Sequence, residues 1–517
     1  MRQSPVSLRE KLHLDHTSAV PLHRQIYQWV RRAILDGQLL PGQRLPSTRT
    51  IASELGISRN TASTAYEELQ AEEFIERTVG SGTIVARFFS EHQPIERAAT
   101  LPTEPALNLS PFGRSLATQM RSVPTSFLRT EPPGLCAFRL GVPDLEQFPA
   151  ALWAQLLARH AHRSLPKHLG YQESAGYRPL REAIAAHVAV TRGVRCQPDH
   201  IVITSGTQAS LDLVVRLLVG KDESVWMEDP GYPGARMVLE CVGARLTFVP
   251  VNAHGLEVAT GKALAPHARL AYVTPSHQFP LGVTMKLEQR LALLQWAQEV
   301  DAWIIEDDYD SEYRFSAHPV EALQGLDRAN RTIYLGSFSK VLFPSLRLGY
   351  MVVPAALMEL CAVAQRFQAT HPPILEQMAL ADFFAEGYFA RHQRRMRALY
   401  GARREFLLTA INECGPLLTA QPPEAGMHLM AWLPPGVVDT EVEQRAGQRG
   451  VEVMALSSLS SQPLSRGGLV LGYAACSEQE MQTGVRVLSE VIRASASERA
   501  ETVRGKALEY EPTGKQR

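Results

Sequence analysis

Three stretches of the chain carry residues whose types and spacing could do covalent or phosphate chemistry. Lys340 closes the run Ser337-Phe338-Ser339-Lys340, directly after the apolar run Ile333-Tyr334-Leu335. If that run is a sheet strand, the lysine stands at its carboxyl end, where α/β folds place ligands. A lysine buried there is easier to deprotonate and can form a Schiff base with an aldehyde. Arg347 follows seven residues on, in Pro344-Ser345-Leu346-Arg347-Leu348-Gly349, and with Ser337 could hold a phosphate. Thirty-three residues before Lys340, Trp303-Ile304-Ile305 runs into Glu306-Asp307-Asp308-Tyr309. A carboxylate at that strand end could pair with a pyridinium nitrogen and keep it protonated, which makes the ring an electron sink. Ile201-Val202-Ile203-Thr204-Ser205 leads into Gly206-Thr207-Gln208 and a helical pattern. Amides at a helix N-terminus after a glycine suit a phosphate.

Other chemistries are excluded by what is missing. S-x-x-K is also a penicillin-binding-protein pattern, but that reading needs S-D-N and K-T-G elements, and neither occurs. Gly255 to Ala263 has the wrong glycine spacing for a P-loop and lacks Ser or Thr after Lys262. His160-Ala161-His162 has no third ligand in view, so no metal site is expected. The cysteines Cys136, Cys196, Cys241, Cys361, Cys414 and Cys476 are scattered without a C-x-x-C pair, which fits reduced thiols in a core.

A second kind of chemistry, nucleic-acid reading, is expected near the N-terminus. Two short helical patterns meet at Gly56-Ile57-Ser58, with helix-turn-helix spacing. Residues 1 to 66 hold nine Lys plus Arg against four Asp plus Glu, while Glu67 to Glu76 holds five acids and no base. A helix that presents its N-terminal end to a major groove should be polarised in this way. Ser58 caps that end, and Arg59, Asn60, Thr61 and Thr64 are the side chains able to reach bases or phosphates. Arg49, in the preceding helix, is placed to hold a phosphate.

These groups need a frame. Over residues 15–86, Leu22, Ile26, Trp29, Val30, Ala33 and Ile34 recur at helical spacing, followed by the two short helices and then two strands around Gly80-Ser81-Gly82. Residues 87–133 contain seven prolines and little periodicity, and read as a partly extended linker. From 134 to 497, apolar runs alternate with helical patterns, which predicts an α/β domain with a largely parallel sheet. Residues 498–517 are polar and read as a frayed tail. The chain of 517 residues is 45% apolar and 21% charged, with 53 basic and 53 acidic side chains and so no net charge. That composition excludes a disordered or fibrous chain and confines any basic footprint to one region. No apolar stretch is long enough to span a membrane, and the N-terminus lacks a signal-peptide core, so a cytoplasmic protein is expected.

Leu45-Pro46-Ser47-Thr48-Arg49, Leu55-Gly56-Ile57-Ser58-Arg59-Asn60-Thr61 and Gly80-Ser81-Gly82-Thr83 together resemble the winged helix-turn-helix of the GntR regulators. The resemblance implies contacts with double-stranded operator DNA from Arg49, Arg59, Asn60, Thr61 and the Gly80 and Gly82 wing. The lysine, arginine, aspartate and glycine segments, in their order, resemble fold-type I aminotransferases, with a smaller C-terminal α/β subdomain. That implies pyridoxal 5'-phosphate, with Lys340 as the imine lysine, Asp307 as the pyridinium partner and Tyr309 on the phenolic oxygen. It also implies Gly206, Thr207, Gln208, Ser337 and Arg347 around the phosphate, Tyr232 near the ring, and Tyr171 reaching the phosphate across a dimer interface. The fusion, with Thr274-Pro275-Ser276-His277-Gln278-Phe279-Pro280 where ordinary aminotransferases have Asn-Pro, resembles the MocR subfamily of bacterial regulators. That implies a head-to-tail homodimer whose DNA affinity responds to cofactor or a small amine effector. One departure stands out: in Leu469-Val470-Leu471-Gly472-Tyr473, Val470 occupies the position of the arginine that holds a substrate carboxylate. Valine cannot pair with a carboxylate, and Arg466 or Arg236 would have to substitute. This favours response to pyridoxal phosphate itself over amino acids, and regulation over turnover. The competing reading is an active aminotransferase with an accessory DNA-binding module.

Overall fold

A computed structural model of the chain describes residues 12–78, 82–87, 108–120, 137–163, 166–315 and 320–508. It divides into two compact units, Met1–Asn108 and Leu109–Arg517.

In the first unit, helices α1 (Leu22–Leu35), α2 (Thr48–Leu55) and α3 (Arg59–Ala71) pack around Ile26, Val30, Ile51, Ala65 and Leu69. Ser47 and Ser58 cap α2 and α3, their hydroxyl oxygens accepting from Thr50 N and Thr61 N at 3.1 Å. Gly56 ends α2 in the left-handed region at φ 66°. The buried Tyr66 hydroxyl donates to Pro46 O at 3.0 Å, which ties α3 to the entry of α2. Antiparallel β1 (Ile75–Thr78) and β2 (Gly82–Val85) complete the unit.

The second unit is built on β3 (Ile201–Thr204), β4 (Ser224–Asp229), β5 (Arg245–Asn252), β6 (Gly255–Leu256), β7 (Leu270–Val273), β8 (Trp303–Asp308), β9 (Thr332–Ser337) and β10 (Gly349–Val352). They form one sheet in the order β3-β10-β9-β8-β7-β4-β5-β6. Only β10 and β6 run against the others. Both faces are covered, which explains why the strand sequences are continuously apolar rather than alternating. Successive residues bury themselves in different layers. Ile201 and Ile203 join one cluster, with Tyr334, Phe338 and Phe383. Val202 joins the opposite one, with Ile333, Leu335 and Met351.

A smaller antiparallel sheet of β11 (Thr419–Ala420), β12 (His428–Trp432), β13 (Met454–Ala455) and β14 (Gly468–Gly472) runs in the order β11-β12-β14-β13. It shares a core with the helices Tyr388–Glu413, Asp439–Gln448 and Glu478–Leu508.

The linker, expected to be partly extended, contains a helix: Ser110 caps α4 (Pro111–Gln119), and its Ser115 hydroxyl donates to Glu240 O at 3.2 Å. Pro111 opens that helix at a position where a missing N–H costs nothing. The tail is not frayed from 498: the last helix continues to Leu508, since Val485, Leu488, Val491 and Ile492 anchor it on the small sheet. Among the described residues, no helix is long and apolar enough to cross a membrane.

Candidate functional site

The carboxyl ends of β8 and β9, the loop before the helix Thr207–Leu218 and the start of β12 enclose a cavity of about 430 Å³. Lys340, Asp307, Tyr309, Gly206, Thr207, Gln208, Tyr232, Ser337 and Arg347, proposed from sequence, all line it. Tyr171 does not; it is 85% exposed, outside the cavity.

Lys340 Nζ donates to Gly141 O at 2.8 Å. A Cβ at Gly141 would lie 2.5 Å from that nitrogen and displace it, and the backbone there sits at φ 67°, where glycine is favoured. Burial pushes the Lys340 amine below the ordinary lysine range, against the opposing pull of Asp310 and Asp307.

The alternation of β8 sorts its acids. Glu306 faces away from the cavity and accepts from Leu323 N and Gln324 N, each at 2.8 Å. Asp308 accepts from Arg192 Nε and the Tyr334 hydroxyl, each at 2.7 Å. Asp307, between them, faces the cavity. Its Oδ2 accepts from the Tyr272 hydroxyl at 2.7 Å, and its buried Oδ1 has no hydrogen-bond partner among the described residues. Burial, with help from Asp308, pushes this carboxyl up to about 7, while Tyr272 and Lys340 pull the other way. A carboxylate clamped by one oxygen and bare at the other is poised for a cationic N–H.

At the other end of the cavity, Gly206, at φ 110°, precedes the helix Thr207–Leu218, whose N-terminal amides have no carbonyl partners of their own. Arg347 is held in the left-handed region at φ 51°, and a Cβ at Gly206 would sit 3.8 Å from its Nη1. With Ser337, this glycine–arginine cradle leaves room and donors for a phosphate. The Gln208 side chain is engaged elsewhere, donating to Gly234 O at 2.9 Å.

Sequence reasoning does not single out several lining groups. Tyr272, Asp310, Arg139, Glu452 and His428 belong to the wall, and each comes from a different strand or loop. Strand alternation from Asp307 would aim Tyr309 into the cavity and Asp310 away from it, so no sequence signal marks Asp310, which follows the end of β8. The others carry no local motif either. Val470 is fully buried in β14, among Met430, Met454 and Leu459, and lies behind the wall rather than in it. Arg466 donates to Leu433 O, and Arg236 pairs with Glu240, so neither replaces the missing cation in the lining. Arg139 does stand there. His277, Asp310 and His428 converge with ligand-type atoms within 4.8 Å, a grouping that the expectation of no metal site overlooks. His160 instead bonds Asp382 at 2.9 Å, away from any such cluster.

In the first unit, Arg49, Ser58, Arg59, Asn60 and Thr64 are exposed along α2 and the start of α3. Thr61 is half-buried and bonds Ser58 Oγ through its hydroxyl at 2.8 Å. The Thr64 hydroxyl donates to Asn60 O at 3.0 Å. The acidic end of α3 is used internally, with Arg24 on Glu68 at 3.1 Å and the Tyr27 hydroxyl on Glu72 at 2.6 Å. Gly82 stands at φ 86° beside the Arg44 guanidinium, a cation that no sequence motif marks. Gly80 and Ser81 lie outside the described residues.

The two units therefore define a winged helix-turn-helix joined in one chain to a fold-type I aminotransferase domain. Comparison agrees on both counts. Residues 22–85 match the model of the bacterial regulatory proteins, gntR family, and residues 138–488 match aminotransferase class I and II. The archaeal alanine:glyoxylate aminotransferase structure superposes with a TM-score of 0.68 at 26% identity, over 75% of this chain and 98% of that one. A probable rhizopine catabolism regulatory protein, MocR, of Rhizobium meliloti is 41% identical over 94% of this chain and 97% of its own length. An HTH-type pyridoxine biosynthesis transcriptional regulator, PdxR, of Corynebacterium glutamicum is 30% identical over 90% of this chain and 95% of its own. The chain belongs to the MocR family, the GntR-type regulators that carry an aminotransferase class I and II domain.

Proposed function

We propose that this chain is a transcriptional regulator in which residues 15–86 bind operator DNA and the aminotransferase-like domain, 134–497 with its helical extension, binds pyridoxal 5'-phosphate. Occupancy of that domain, by the cofactor or by a small amine as well, changes operator binding. The observation that carries the reading is Asp307, clamped by Tyr272 at one oxygen and bare at the other, in the same cavity as a desolvated lysine.

Each residue then has a task. Lys340 supplies the amine that takes the aldehyde, and its lowered proton affinity favours the nucleophilic form. Asp307 accepts the pyridinium N–H. Gly206, Thr207, Gln208, Ser337 and Arg347 hold the phosphate, Tyr309 bonds the phenolic oxygen, and Tyr232 lies against the ring. When bound, the cofactor supplies an electrophilic carbon and an electron-accepting ring. Tyr171, exposed on the surface, serves a second copy of the chain in a head-to-tail dimer. Arg49, Arg59, Asn60, Thr61 and the wing hold DNA. On this reading the protein works in a bacterial cytoplasm.

Val470 argues against turnover of α-amino acids, and the cofactor alone is the first effector to test. Arg139 is a residue of the cavity lining, and an amine with an acidic end is the second ligand to test. The test is a paired titration of the full chain, visible spectrum and gel shift on its operator, first with pyridoxal phosphate and then with amines. Borohydride should fix the cofactor to Lys340. A protein with no visible band, or with operator affinity indifferent to the cofactor, would end this reading.

A further inference from the structure

We propose that His277 and Asp310 form a buried pair that sets the direction of the Tyr309 hydroxyl proton, turning it into the cavity. The inference rests on the cofactor reading above for its spectroscopic consequence, but not for its geometry.

His277 follows β7 and Asp310 follows β8; both are 2% exposed. His277 Nδ1 lies 3.0 Å from each Asp310 carboxylate oxygen and 3.1 Å from the Tyr309 hydroxyl. Its other nitrogen, Nε2, is buried with no hydrogen-bond partner among the described residues. A neutral imidazole has one N–H and one bare nitrogen. A proton on Nε2 would leave a buried donor unmet and aim the Nδ1 lone pair at a carboxylate. A proton on Nδ1 gives a charge-assisted bond to Asp310 and leaves bare only the nitrogen that has nothing to meet. The Nδ1–H form is therefore the stable one. A charged imidazolium would donate from Nδ1 in the same way.

A nitrogen that already holds a proton cannot take one from Tyr309. The tyrosine oxygen thus accepts a second branch of the Nδ1–H bond, and its own hydrogen points elsewhere. Tyr309 lines the cavity beside Lys340 and Asp307, so the hydrogen is offered there. A donor at that place stabilises a negative phenolic oxygen.

The surrounding charges come from several elements. Asp307 and Asp308 on β8 and Glu228 on β4 bear on Tyr309. His428 on β12 lies tilted against His277 with ring centres 4.9 Å apart and is kept neutral, pushed down to about 3 by burial and by His277. Lys340 and Tyr473, at the end of β14, sense Asp310. These groups set the level at which the site titrates. Among the described residues, only Asp310 and Tyr309 hydrogen-bond Nδ1.

Replacing the carboxylate by an amide reverses the logic. In Asp310→Asn the new N–H can donate to Nδ1, which moves the imidazole proton to Nε2 and lets Nδ1 accept from Tyr309. The hydroxyl then turns away from the cavity, as though it were absent. The experiment is a pH titration of the visible band of the cofactor-loaded full chain. Tyr309→Phe and Asp310→Asn should raise the midpoint by a similar amount, on the order of one pH unit, a tenfold change in proton affinity. The double variant should shift no further than Tyr309→Phe alone. His277→Asn keeps a donor near the Nδ1 position and should stay near the parent, whereas His277→Leu should shift like Tyr309→Phe. Nitrogen-15 spectra of histidine in the cofactor-free chain give an independent readout: a protonated Nδ1 in the parent, and Nε2 in Asp310→Asn. An unshifted Asp310→Asn midpoint, additive shifts in the double variant, or an Nε2–H parent tautomer would each overturn the proposal. If no visible band forms, the cofactor reading fails while the nitrogen spectra still decide the tautomer. If Asp310→Asn does not fold, the contrast between His277→Asn and His277→Leu decides.

Discussion

At the reading helix, Arg59 and Asn60 stand in solvent, held in place by the Ser58 cap two residues away or nearer. At the lysine pocket, Asp307 is buried and held by a tyrosine 35 residues distant in sequence. One region displays its functional groups from a local motif. The other assembles them from several strand ends and loses solvent in doing so. The difference has an energetic consequence. Exposed groups act singly in a high dielectric, where each contact is worth little and changes add. Buried groups share partners in a low dielectric, where removing one strands another.

The pocket should therefore break abruptly. Lys340→Ala should abolish the visible band outright while the fold survives, because no second lysine lines the cavity among the described residues; borohydride trapping followed by peptide mapping checks this. Reduction onto any other lysine would show that the site has been misplaced. Asp307→Asn should weaken cofactor binding by roughly 3 kcal/mol, the scale of a broken buried ion pair, as read by equilibrium titration of the band.

Asp307 also gives the empty pocket a pH signature. Its carboxyl, pushed up to about 7, titrates above its unfolded value, so the folded chain binds the proton more tightly than the unfolded chain. That contribution to stability is complete below the ordinary carboxylate range and is lost as pH rises through about 7. The cofactor-free chain should lose stability between about pH 4 and 7, and Asp307→Asn should flatten this slope by up to about 1.4 kcal/mol per pH unit. Some slope should remain, because Glu228 and Glu306 are also raised to about 7 by burial. Urea unfolding at several pH values measures it. An unchanged slope would mean that Asp307 is not the buried acid it is taken to be.

The reading face should instead respond in small, additive steps. Arg59→Ala should cost about 1–3 kcal/mol in operator binding and relax specificity at one base position. Arg49→Ala should weaken all sequences alike and lower the salt slope by about 1. Gel shifts of the double variant should equal the sum within about 0.5 kcal/mol, and a larger coupling would erase the contrast between the two regions.

The same contrast explains which functional groups are legible in the sequence. Arg49, Ser58 and Arg59 are legible because their geometry follows from caps and spacing within a few residues. Lys340 and Asp307 are legible because a strand end fixes where the next residue points, and the five apolar runs beginning at Ile201, Val225, Leu270, Trp303 and Ile333 all lie in strands. Tyr272 and Arg139 are not, since each enters the cavity from an element whose neighbours give no local cue. The α4 helix escapes a pattern search because its surrounding prolines argue for extension, although Pro111 is the first helical residue, where proline is tolerated. The last helix reads short because its dense apolar pattern ends at Val491-Ile492 and thins beyond it.

The smallest effect expected is at Ser58, and it separates positioning from contact. Ser58 Oγ accepts the Thr61 amide and shares a hydrogen with the Thr61 hydroxyl, so it shapes the end of α3 that carries Arg59 and Asn60. Ser58→Ala removes an acceptor from a helix N-terminus and should destabilise this turn by about 1 kcal/mol. In the full chain, hydrogen exchange at the Thr61 amide should quicken roughly fivefold if local opening governs it, since 1 kcal/mol is about that factor. Ser58→Asn and Ser58→Asp should both restore protection, because both cap well. Their DNA binding should differ: the asparagine variant should bind near the parent level, while aspartate adds a negative charge beside the phosphates and should bind more weakly, most clearly at low salt. Equal binding by the two would place Ser58 away from the backbone of the duplex and move the reading face toward the Arg44 wing.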